Sequence, residues 1–560
     1  MKSRLPLSLF FLLTLVTNSG AAQTPKTAPA RKQDQCKIAG MVVKFGGSEP
    51  LRKAKVRLAN ADDGDHTVSI VTDGGGHFEL KGIDPGRYHL TVSRAGFVTQ
   101  EYGQKKPDDV GAMLTLRPGQ EMKDLLFRLI PSGVIAGRIL DEDGEPLAEV
   151  MVSALRQVYL EGKRSLSTDT SAQTNDLGEY RLFGLAPGRY FITANFSRWG
   201  RFSRGEEADD ASASQEGYAK MYYPGTPDSA KAISVTVKPG DEIPSVDILM
   251  RQVPVYRVRG HVYNQVTHKP GTGTNLMLMP KAKSREWDFS GKETNVQKKD
   301  GSFEIVEVLP GSYFLIAFWF DEGKPYSTRM PIDVGNADIE GLSVIIAPGV
   351  NINGRVIWDG PPSLEGDELT VGATPTDFAF AFNEPSRVSQ TGSFTLKDLG
   401  EGIYHANVAG ESKNCYIKEI RYGGSSAFED GFMVTKGTPA ELEIVISSRG
   451  ARVQGTITDE DRLPAAGVWV VLIPEASRRS QSRLYKTANT DQYGHYDLRG
   501  IAPGEYKIFS WERVETGAWE DAEFLKPFDV KGETISVQEG AEKAINLTAI
   551  RTKSPDSAKQ

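Results

Sequence analysis

The fold is decided by a short stretch, residues 72–88, which reads TDGGGHFELKGIDPGRY. Its first fixed glycine, Gly76, is followed two positions later by an aromatic residue, Phe78, and two further on by an aliphatic one, Leu80. Ten residues after Gly76 comes Gly86, which follows a proline and precedes Tyr88 by two positions. Polar turn residues around an alternating apolar run are typical of a hairpin-like β unit.

The same spacing occurs four more times in the chain. The paired glycines of the other copies are Gly178 and Gly188, Gly301 and Gly311, Gly392 and Gly402, and Gly494 and Gly504. The tyrosine follows in every copy, at Tyr190, Tyr313, Tyr404 and Tyr506, and the proline is lost only in the fourth, where Glu401 replaces it. A constant glycine-to-glycine distance of ten residues indicates an internal repeat.

Each copy lies inside a larger unit of roughly one hundred residues. About forty residues before the motif, each unit has an opening strand led by a glycine, namely Gly40, Gly137, Gly260, Gly354 and Gly455. The predicted closing strands are Leu125 to Leu129, Val246 to Met250, Leu342 to Ile346, Leu442 to Ile446 and Ala544 to Ala549. About seven short strands per unit predict a β-sandwich. We expect a positive φ at both motif glycines.

The string T-D-x-x-G-x-[FY]-x-L-x-G-[IL]-x-P-G-x-Y resembles the carboxypeptidase regulatory-like domain. The resemblance is strongest in repeats one, two and five and weakest in repeat four, and it implies a prealbumin-like, carbohydrate-binding-like sandwich. We therefore expect an all-β chain of five tandem prealbumin-like β-sandwich domains after a cleaved signal peptide. Because the motif encodes turns and core, it carries almost no information on function.

The repeats set the expected domain boundaries, with short linkers near Pro131, Gln252, Pro348 and Ser448. The segments are a signal peptide (1–22), a polar lead-in (23–35), unit 1 (36–130), unit 2 with an acidic loop insertion (131–251), unit 3 (252–347), unit 4, the most divergent (348–447), unit 5 (448–550) and a polar tail (551–560). The acidic insertion spans residues 205–217 and is expected to be a solvated loop.

The first residues are typical of an export signal. Lys2 and Arg4 precede an apolar run over residues 5–16, and the small residues at 20–22 predict cleavage after Ala22. That run is shorter than the ~20 residues of a transmembrane helix, so we expect a protein that does not span a membrane. An exported protein would be periplasmic or extracellular, for example at the cell surface. The formal net charge of −7 argues against a nucleic-acid partner.

The chain has two cysteines, Cys36 and Cys415, which lie in different units. A bridge between them would require the array to fold back on itself, and two cysteines cannot form a disulfide framework. Unpaired, partly buried thiols are therefore the expectation.

No pattern of catalytic residues is present. A zinc carboxypeptidase needs a His-x-x-Glu pair and a third histidine, and none of the seven histidines is followed by Glu at the third position. There is also no His-Glu-x-x-His motif and no Gly-x-Ser-x-Gly elbow. His77 and His495 occupy equivalent hairpin positions and are expected to be exposed turn residues. We predict no enzyme, with no catalytic residue, no metal and no cofactor.

Two carboxylate clusters follow the opening strands of units 2 and 5, at residues 141–144 and 459–461. Asp side chains favour turns through hydrogen bonds to nearby backbone. Calcium binding is the alternative interpretation, because hard oxygen ligands are concentrated there.

Two aromatic clusters offer a candidate ligand site. Trp511 and Trp519 in unit 5, and Tyr222 and Tyr223 in unit 2, lie in long connections after the tyrosine of the motif. Flat rings on a surface suit stacking on sugar rings, so these four residues are the predicted carbohydrate-binding residues, and the two tryptophans should be solvent-accessible. In the alternative interpretation the loops bury their own aromatic residues as small satellite cores.

The sequence thus favours an exported, non-catalytic, multi-domain binding or scaffold protein, with polysaccharide as the leading ligand class. The alternative is a structural or protein-interaction array of the cell envelope, whose partners are other envelope components and which has no small ligand.

Overall fold

A computed structural model describes most of the chain from residue 34 onward. The described residues are 34–62, 66–107, 109–160, 162–196, 216–281, 291–322, 324–366, 368–376, 384–437 and 439–552. The predicted signal peptide, residues 205–215 of the acidic insertion and the tail from residue 553 lie outside these ranges.

The described chain is built almost entirely of β-strands, so the expected all-β fold is confirmed. Within the described ranges the single α-helix is one turn long, Ala522–Leu525. The short 3₁₀ segments are Ser229–Lys231, Ala476–Arg478, Ser482–Leu484, Ala518–Glu520 and Lys526–Lys531.

Every unit has two sheets, and the first sheet follows one plan. Its opening strand lies between the strand that carries the glycine-aromatic motif, which runs antiparallel to it, and the closing strand, which runs parallel to it. In unit 1 this sheet consists of His77–Ile83, Cys36–Lys44 and Glu121–Leu129. The second sheet consists of Thr67–Val71, Lys55–Asn60, Gly86–Ser93, Gln100–Glu101 and Leu114–Leu116.

Units 2 and 3 repeat this plan with longer strands in the second sheet. The first sheet of unit 2 consists of Glu179–Leu185, Gly133–Leu140, Glu242–Ile243 and Ile248–Leu249, and the second of Lys163–Gln173, Met151–Leu160, Gly188–Asn195, Met221–Tyr222 and Val235–Val237. Glu216–Tyr218 pairs separately with Gln252–Pro254. The first sheet of unit 3 consists of Lys269–Pro270, Tyr256–Asn264, Ser302–Val308 and Ile339–Ile346, and the second of Lys292–Asn295, Asn275–Pro280, Gly311–Asp321 and Lys324–Val334.

Units 4 and 5 complete the series. The first sheet of unit 4 consists of Ser393–Leu399, Val350–Asp359, Leu442–Ser447, Tyr416–Tyr422 and Ser425–Ser426, and the second of Ser386–Arg387, Thr370–Pro375, Gly402–Ala409 and Phe432–Val434. The first sheet of unit 5 consists of His495–Ile501, Ala451–Thr458, Glu542–Ala544 and Leu547–Thr548, and the second of Lys486–Asn489, Trp469–Pro474, Gly504–Trp511 and Glu533–Val537.

Each unit has its own cluster of buried apolar side chains between its two sheets. In unit 1 the motif strand contributes Phe78, Leu80 and Ile83, which are at most 5 % exposed. The alternation expected from the sequence therefore places these side chains in the core, as predicted. The residue boundaries of the five domains stay a prediction.

The polar residues before the first motif glycine hold the hairpin together. Thr490 is fully buried, and its hydroxyl accepts a hydrogen bond from the Val468 amide (3.0 Å) and donates one to the Ala465 carbonyl (2.7 Å). The Asp491 carboxylate accepts from the amides of Tyr493 and His495, both at 2.9 Å. Thr72 with Asp73 and Thr174 with Asn175 make the equivalent bonds in units 1 and 2.

The two motif glycines differ in backbone conformation. The first has φ between 68° and 85° in all five copies, as predicted. The second glycine has a positive φ, as predicted, in units 1, 4 and 5, where Gly86, Gly402 and Gly504 have φ of 159°, 150° and 153°, but not in units 2 and 3; in all five units it begins a strand. The left-handed residue lies four positions earlier, where Gly82 has φ 70° and Glu307 has φ 55°. A left-handed residue at a bulge in the motif strand therefore also contributes to the turn.

The motif tyrosine closes this connection. The hydroxyl groups of four motif tyrosines each donate to the carbonyl four residues earlier, at 2.7–2.9 Å; they belong to Tyr88, Tyr190, Tyr313 and Tyr506. The tyrosine is thus a structural residue of the turn.

Candidate functional site

The predicted carbohydrate-binding side chains do not form an exposed platform. Trp511 is 0 % and Trp519 4 % exposed, Tyr222 is 6 % exposed, and Tyr223 is partly buried. Trp511 stacks on Phe509, with ring centroids 4.9 Å apart and an interplanar angle of 7°. The prediction that the two tryptophans are solvent-accessible is wrong.

The two tryptophans are buried because a segment of unit 5, here called the lid, packs over the sheet that carries Trp511. Residues 512–532 run as short helical turns over the outer face of the second sheet of unit 5 and bury Trp511, Trp519 and Leu525 in a second apolar cluster. In unit 2, Tyr222 is buried because it pairs in the sheet opposite Thr193. The satellite-core interpretation therefore describes the unit 5 cluster.

The lid also receives a hairpin from unit 2. The hairpin of Met151–Leu160 and Lys163–Gln173 brings Tyr159 edge-on to Phe524, with ring centroids 6.4 Å apart. Tyr159 is 7 % exposed, and its hydroxyl accepts a hydrogen bond from Arg164 Nε at 2.8 Å. The backbones of the hairpin and the lid lie close together here: a Cβ on Gly162 would lie 2.7 Å from the Glu520 carbonyl oxygen.

Unit 1 contacts the motif hairpin of unit 5. Thr115 donates its amide to Gln492 Oε1 (2.9 Å) and accepts at its carbonyl from Gln492 Nε2 (2.6 Å). Its hydroxyl donates to Asp491 Oδ2 at 3.0 Å. The Arg117 guanidinium lies over the Tyr493 ring, 4.9 Å from its centroid. Units 1 and 5, far apart in sequence, are thus joined by several polar contacts.

A loop of unit 4, residues 410–415, extends this junction. Lys413 Nζ lies 3.5 Å from Asp62 Oδ1 of unit 1 and 3.1 Å from Glu365 Oε1. A hydrogen bond from Arg87, joined by the charges of Arg87 and Lys413, lowers the pKa of Asp62. On the unit 5 side, a Cβ on Gly500 would lie 2.5 Å from the Cys415 carbonyl oxygen. Residues of units 1, 4 and 5 therefore meet around this loop.

Half-buried charged side chains lie beside the same loop. Burial raises the pKa of Glu411 and lowers the pKa of Lys486, while each charge partly offsets the effect on the other. Arg483 Nη2 donates to the Ala406 carbonyl at 3.0 Å, and burial lowers the pKa of this arginine as well. The contact between units 4 and 5 is thus partly desolvated and polar.

Units 3 and 4 leave a cleft of about 780 Å³ between them. Lys324, Tyr326 and Arg329 line one wall, and Arg387, Lys397 and Lys436 line the other. Three carboxylates also line the cleft among the described residues: Glu384, Asp398 and Glu401.

The other polar candidates are turn residues. His77 and His495 are exposed, as predicted. Asp141 Oδ1 accepts from the amides of Asp143 (3.0 Å) and Glu145 (2.8 Å), and Asp459 does the same in unit 5, so the turn interpretation is confirmed. Over the residues that the structure describes, no group of three or more His, Cys, Asp or Glu side chains is placed to hold a metal ion. None of the described helices is long and apolar enough to cross a membrane.

Both cysteines are buried and unpaired, as expected. The Cys36 thiol donates to the Arg117 carbonyl at 3.0 Å and the Cys415 thiol to the Ser363 carbonyl at 3.5 Å. The array does fold back, yet each thiol stays within its own unit.

Solved structures similar to this chain include two bacterial pilins and the TIE protein of Bacillus anthracis. The Bacillus anthracis TIE protein has 13 % identity and a TM-score of 0.16; the match covers 56 % of this chain and 50 % of that one, so the chain spans half of its length. GBS52, the minor pilin of Streptococcus agalactiae, has 16 % identity and a TM-score of 0.21, over 39 % of this chain and 96 % of that one. BcpA, the major pilin subunit of Bacillus cereus, has 11 % identity and a TM-score of 0.14, over 56 % and 99 %. Likeness at this level assigns no function.

No curated protein matches the sequence. The family model of the carboxypeptidase regulatory-like domain matches residues 37–128 and 134–218, which carry the first two copies of the motif. The matched residues include the opening strand, the buried threonine and the motif tyrosine of units 1 and 2. The chain is therefore similar to the carboxypeptidase regulatory-like domain over residues 37–128 and 134–218.

Proposed function

We propose that this protein is an exported, non-catalytic scaffold whose sandwich units are held in a fixed, folded-back arrangement to present surfaces to other cell-envelope components. The observation that carries the proposal is the contact of unit 5 with units 1, 2 and 4. Gln492, Tyr159 and the loop at 410–415 each make one of these contacts. Polar groups matched across an interface fix its register and orientation, which is what a scaffold requires.

Two further observations support a role without catalysis. The residues that the motif specifies serve turns and cores, as Thr490 and Tyr506 show. The half-buried ionisable side chains Glu411 and Lys486 lie in a contact between units. Carbohydrate binding through Trp511, Trp519, Tyr222 and Tyr223 is not part of the proposal, because three of these rings are buried.

The proposal is tested with residues 23–560 and a double variant, Gln492→Ala/Tyr493→Ala, which removes the contacts that these two side chains make with unit 1. Small-angle X-ray scattering should show a larger radius of gyration for the variant. Reciprocal capture with a solubilised envelope fraction should show a defined partner that binds the wild-type chain and is weakened by the variant.

The matched control is Asp176→Ala/Leu177→Ala, which changes the equivalent hairpin of unit 2, where both side chains are exposed. It should keep both the compact shape and the partner. A wild-type chain that retains no envelope component, or a double variant that binds as well as the wild type, would contradict the proposal. Export itself is checked by N-terminal sequencing of the mature protein, which should begin at Gln23.

A further inference from the structure

The second sheet of unit 1 ends in an edge strand that lacks the usual protection against further pairing. This strand, Thr67–Val71, reads TVSIV and carries no charged residue. Charged side chains on an edge strand discourage another strand from adding to it, and the equivalent edge strand of every other unit contains a lysine or an arginine. Those four strands are Lys163–Gln173, Lys292–Asn295, Ser386–Arg387 and Lys486–Asn489. Among these five described edges, that of unit 1 alone has no charge.

The backbone of this edge strand has hydrogen-bonding groups that point away from the sheet. Thr72, just after the strand, donates its amide to the Ala54 carbonyl at 2.9 Å, and this bond sets the register of the ladder. Because ladder bonds fall on alternate residues of an antiparallel pair, the amides and carbonyls of Thr67, Ser69 and Val71 point outward. No hydrogen bond from another described residue reaches these groups. They are therefore free to pair with an added strand.

The core side of the edge is apolar and only partly covered. Val68 and Ile70 lie on this side, since they pair with Leu58 and Val56, whose side chains are in the core of unit 1. Val68 is nevertheless 50 % exposed at the border of the sheet. Side chains alternate between the two faces of a strand, so every second residue of an added strand would lie on this side. Apolar residues at those positions would complete the burial of Val68.

The outer face of the same edge is cationic. Lys55 and Arg57 lie there, on the face that Ser69 occupies, and both are exposed. Neither forms an ion pair with any residue that the structure describes. The three strands nearest the edge contain no acidic residue; they are Thr67–Val71, Lys55–Asn60 and Gly86–Ser93.

The described carboxylates beside these strands are already engaged. Asp62 is bonded to Arg87 and lies 3.5 Å from Lys413 Nζ. The Asp73 carboxylate accepts from two backbone amides of its own turn, at 2.9 and 2.8 Å. Residues 63–65 lie outside the described ranges. The charges of Lys55 and Arg57 are thus not matched by a described carboxylate, and a local excess of positive charge attracts anions.

The same charges disfavour a second copy of the chain as the added strand. Antiparallel pairing of Thr67–Val71 with itself would continue one sheet across both copies. Lys55 and Arg57 of each copy would then lie on the same face of that sheet, on either side of the joint. Like charges on one face repel, whereas carboxylates on the added strand would be attracted.

We propose that the edge strand Thr67–Val71 binds an extended strand of a partner protein in which acidic and apolar residues alternate. The apolar side chains cover Val68 on the core side, and the carboxylates face Lys55 and Arg57 on the outer face. Backbone hydrogen bonds supply affinity in this mode of binding, and the alternating side chains supply specificity. The inference deepens the proposed function, because it names one surface that the scaffold presents, and it rests on that proposal only for the origin of the partner.

The experiment measures binding of residues 23–560 to a synthetic peptide of alternating glutamate and valine, by fluorescence anisotropy. A peptide of alternating lysine and valine, of the same length, should bind at least about tenfold more weakly. Amide hydrogen exchange over residues 67–71 should slow by about tenfold or more when the glutamate peptide is bound, since the outward amides become bonded.

Ser69→Pro removes an outward amide without breaking a bond to the neighbouring strand, and its ring occupies the edge. It should lower the affinity by about tenfold or more. The matched control is Thr487→Pro, which changes an exposed position with an outward amide on the edge strand Lys486–Asn489 of unit 5. The control should bind the peptide like the wild type.

A second pair of variants tests the charges. Lys55→Glu/Arg57→Glu should weaken binding by about five- to tenfold, and added salt should weaken binding to the wild type. Lys238→Glu/Lys531→Glu makes the same change of charge at exposed positions in units 2 and 5 and should bind like the wild type. Unfolding midpoints from circular dichroism identify a misfolded variant; if Ser69→Pro is misfolded, the charge variants and the exchange of residues 67–71 decide.

Four results would overturn the inference. They are no binding of the glutamate peptide by the wild type, equal binding of the lysine peptide, unchanged exchange over residues 67–71, and a wild-type dimer in sedimentation that Ser69→Pro dissociates. The last result would make a second copy the occupant of the edge. Each of these outcomes is independent of the scaffold proposal, which fails instead if Gln492→Ala/Tyr493→Ala leaves the shape and the capture of envelope components unchanged.

Discussion

Thr490 shows how much of the fold depends on one hydroxyl group. Thr490 is fully buried, and its hydroxyl accepts a hydrogen bond from the Val468 amide and donates one to the Ala465 carbonyl. Thr490→Val keeps the shape but leaves both backbone groups without a partner, so we expect a loss of about 2–4 kcal/mol in the free energy of unfolding of unit 5. Urea unfolding measures this loss. Thr487→Val, an exposed position nearby, should change stability by less than about 0.5 kcal/mol.

Glu411 makes a pH-dependent contribution with a definite sign. Burial raises its folded-state pKa above the ordinary value of 4.5, so the folded protein binds this proton more tightly than the unfolded chain does. Ionisation therefore costs stability as pH rises from about 4.5 through the folded pKa. Glu411→Gln cannot ionise and should unfold at a higher temperature than the wild type at about pH 7.

At about pH 3, where the carboxyl group is protonated in both states, this difference should disappear. Thermal unfolding at the two pH values measures it, and Glu142→Gln, at an exposed turn, should show no such change. A Glu411→Gln protein less stable than the wild type at pH 7 would mean that attraction to Lys486 outweighs the cost of burial.

The closing strand lies so close to the opening strand that the opening strand needs its glycine. A Cβ on Gly455 would lie 1.8 Å from the Ile545 carbonyl oxygen, so a side chain there would displace the closing strand. Gly455→Ala should destabilise unit 5 by about 3 kcal/mol or more. Gly74→Ala is the control, because its Cβ meets nothing within 4 Å and its φ is not left-handed; urea unfolding of both variants should show a loss only for Gly455→Ala.

The regular strands were predictable because their signal is local. The alternation of Phe78 and Leu80 and the turn chemistry before Gly76 depend only on neighbouring residues. The lid over Trp511 was not predictable in the same way, since residues 512–532 form short helical turns without a sheet period. Exposure of a ring depends on what packs over it, and the sequence pattern does not contain that information.

The strand Tyr416–Tyr422 in unit 4 is a second feature that the repeat did not predict. It adds to the first sheet beside Leu442–Ser447, where the other units have no equivalent strand among their described residues. The loop that precedes it, residues 410–415, carries Lys413 to unit 1. A departure from the repeat thus coincides with a contact between units, which indicates that unit 4 diverged where the array folds back.

At the scale of the whole molecule, contacts between distant units decide the shape. They are made by hairpin tips and loops, such as Gln492 and Tyr159, whose sequences satisfy their own turns equally well without a partner. The five units therefore follow one another in sequence, while in space unit 5 contacts units 1, 2 and 4. Contacts of this kind leave no periodic pattern in the sequence. The arrangement of the five units therefore could not be predicted from the sequence.

The contact of unit 2 with the lid of unit 5 gives a final prediction. Tyr159→Ala removes the ring that packs edge-on to Phe524 and should uncouple the hairpin from the lid. Amide hydrogen exchange in residues 515–525 should then become about tenfold faster, because the lid has few regular hydrogen bonds of its own. Tyr263→Ala, which removes a ring that is 43 % exposed on unit 3, should leave this exchange unchanged. If neither Tyr159→Ala nor Tyr263→Ala changes the exchange rates, the prediction is wrong. Packing around Trp511 and Trp519 alone would then keep the lid ordered, and contact with the hairpin would not stabilise it.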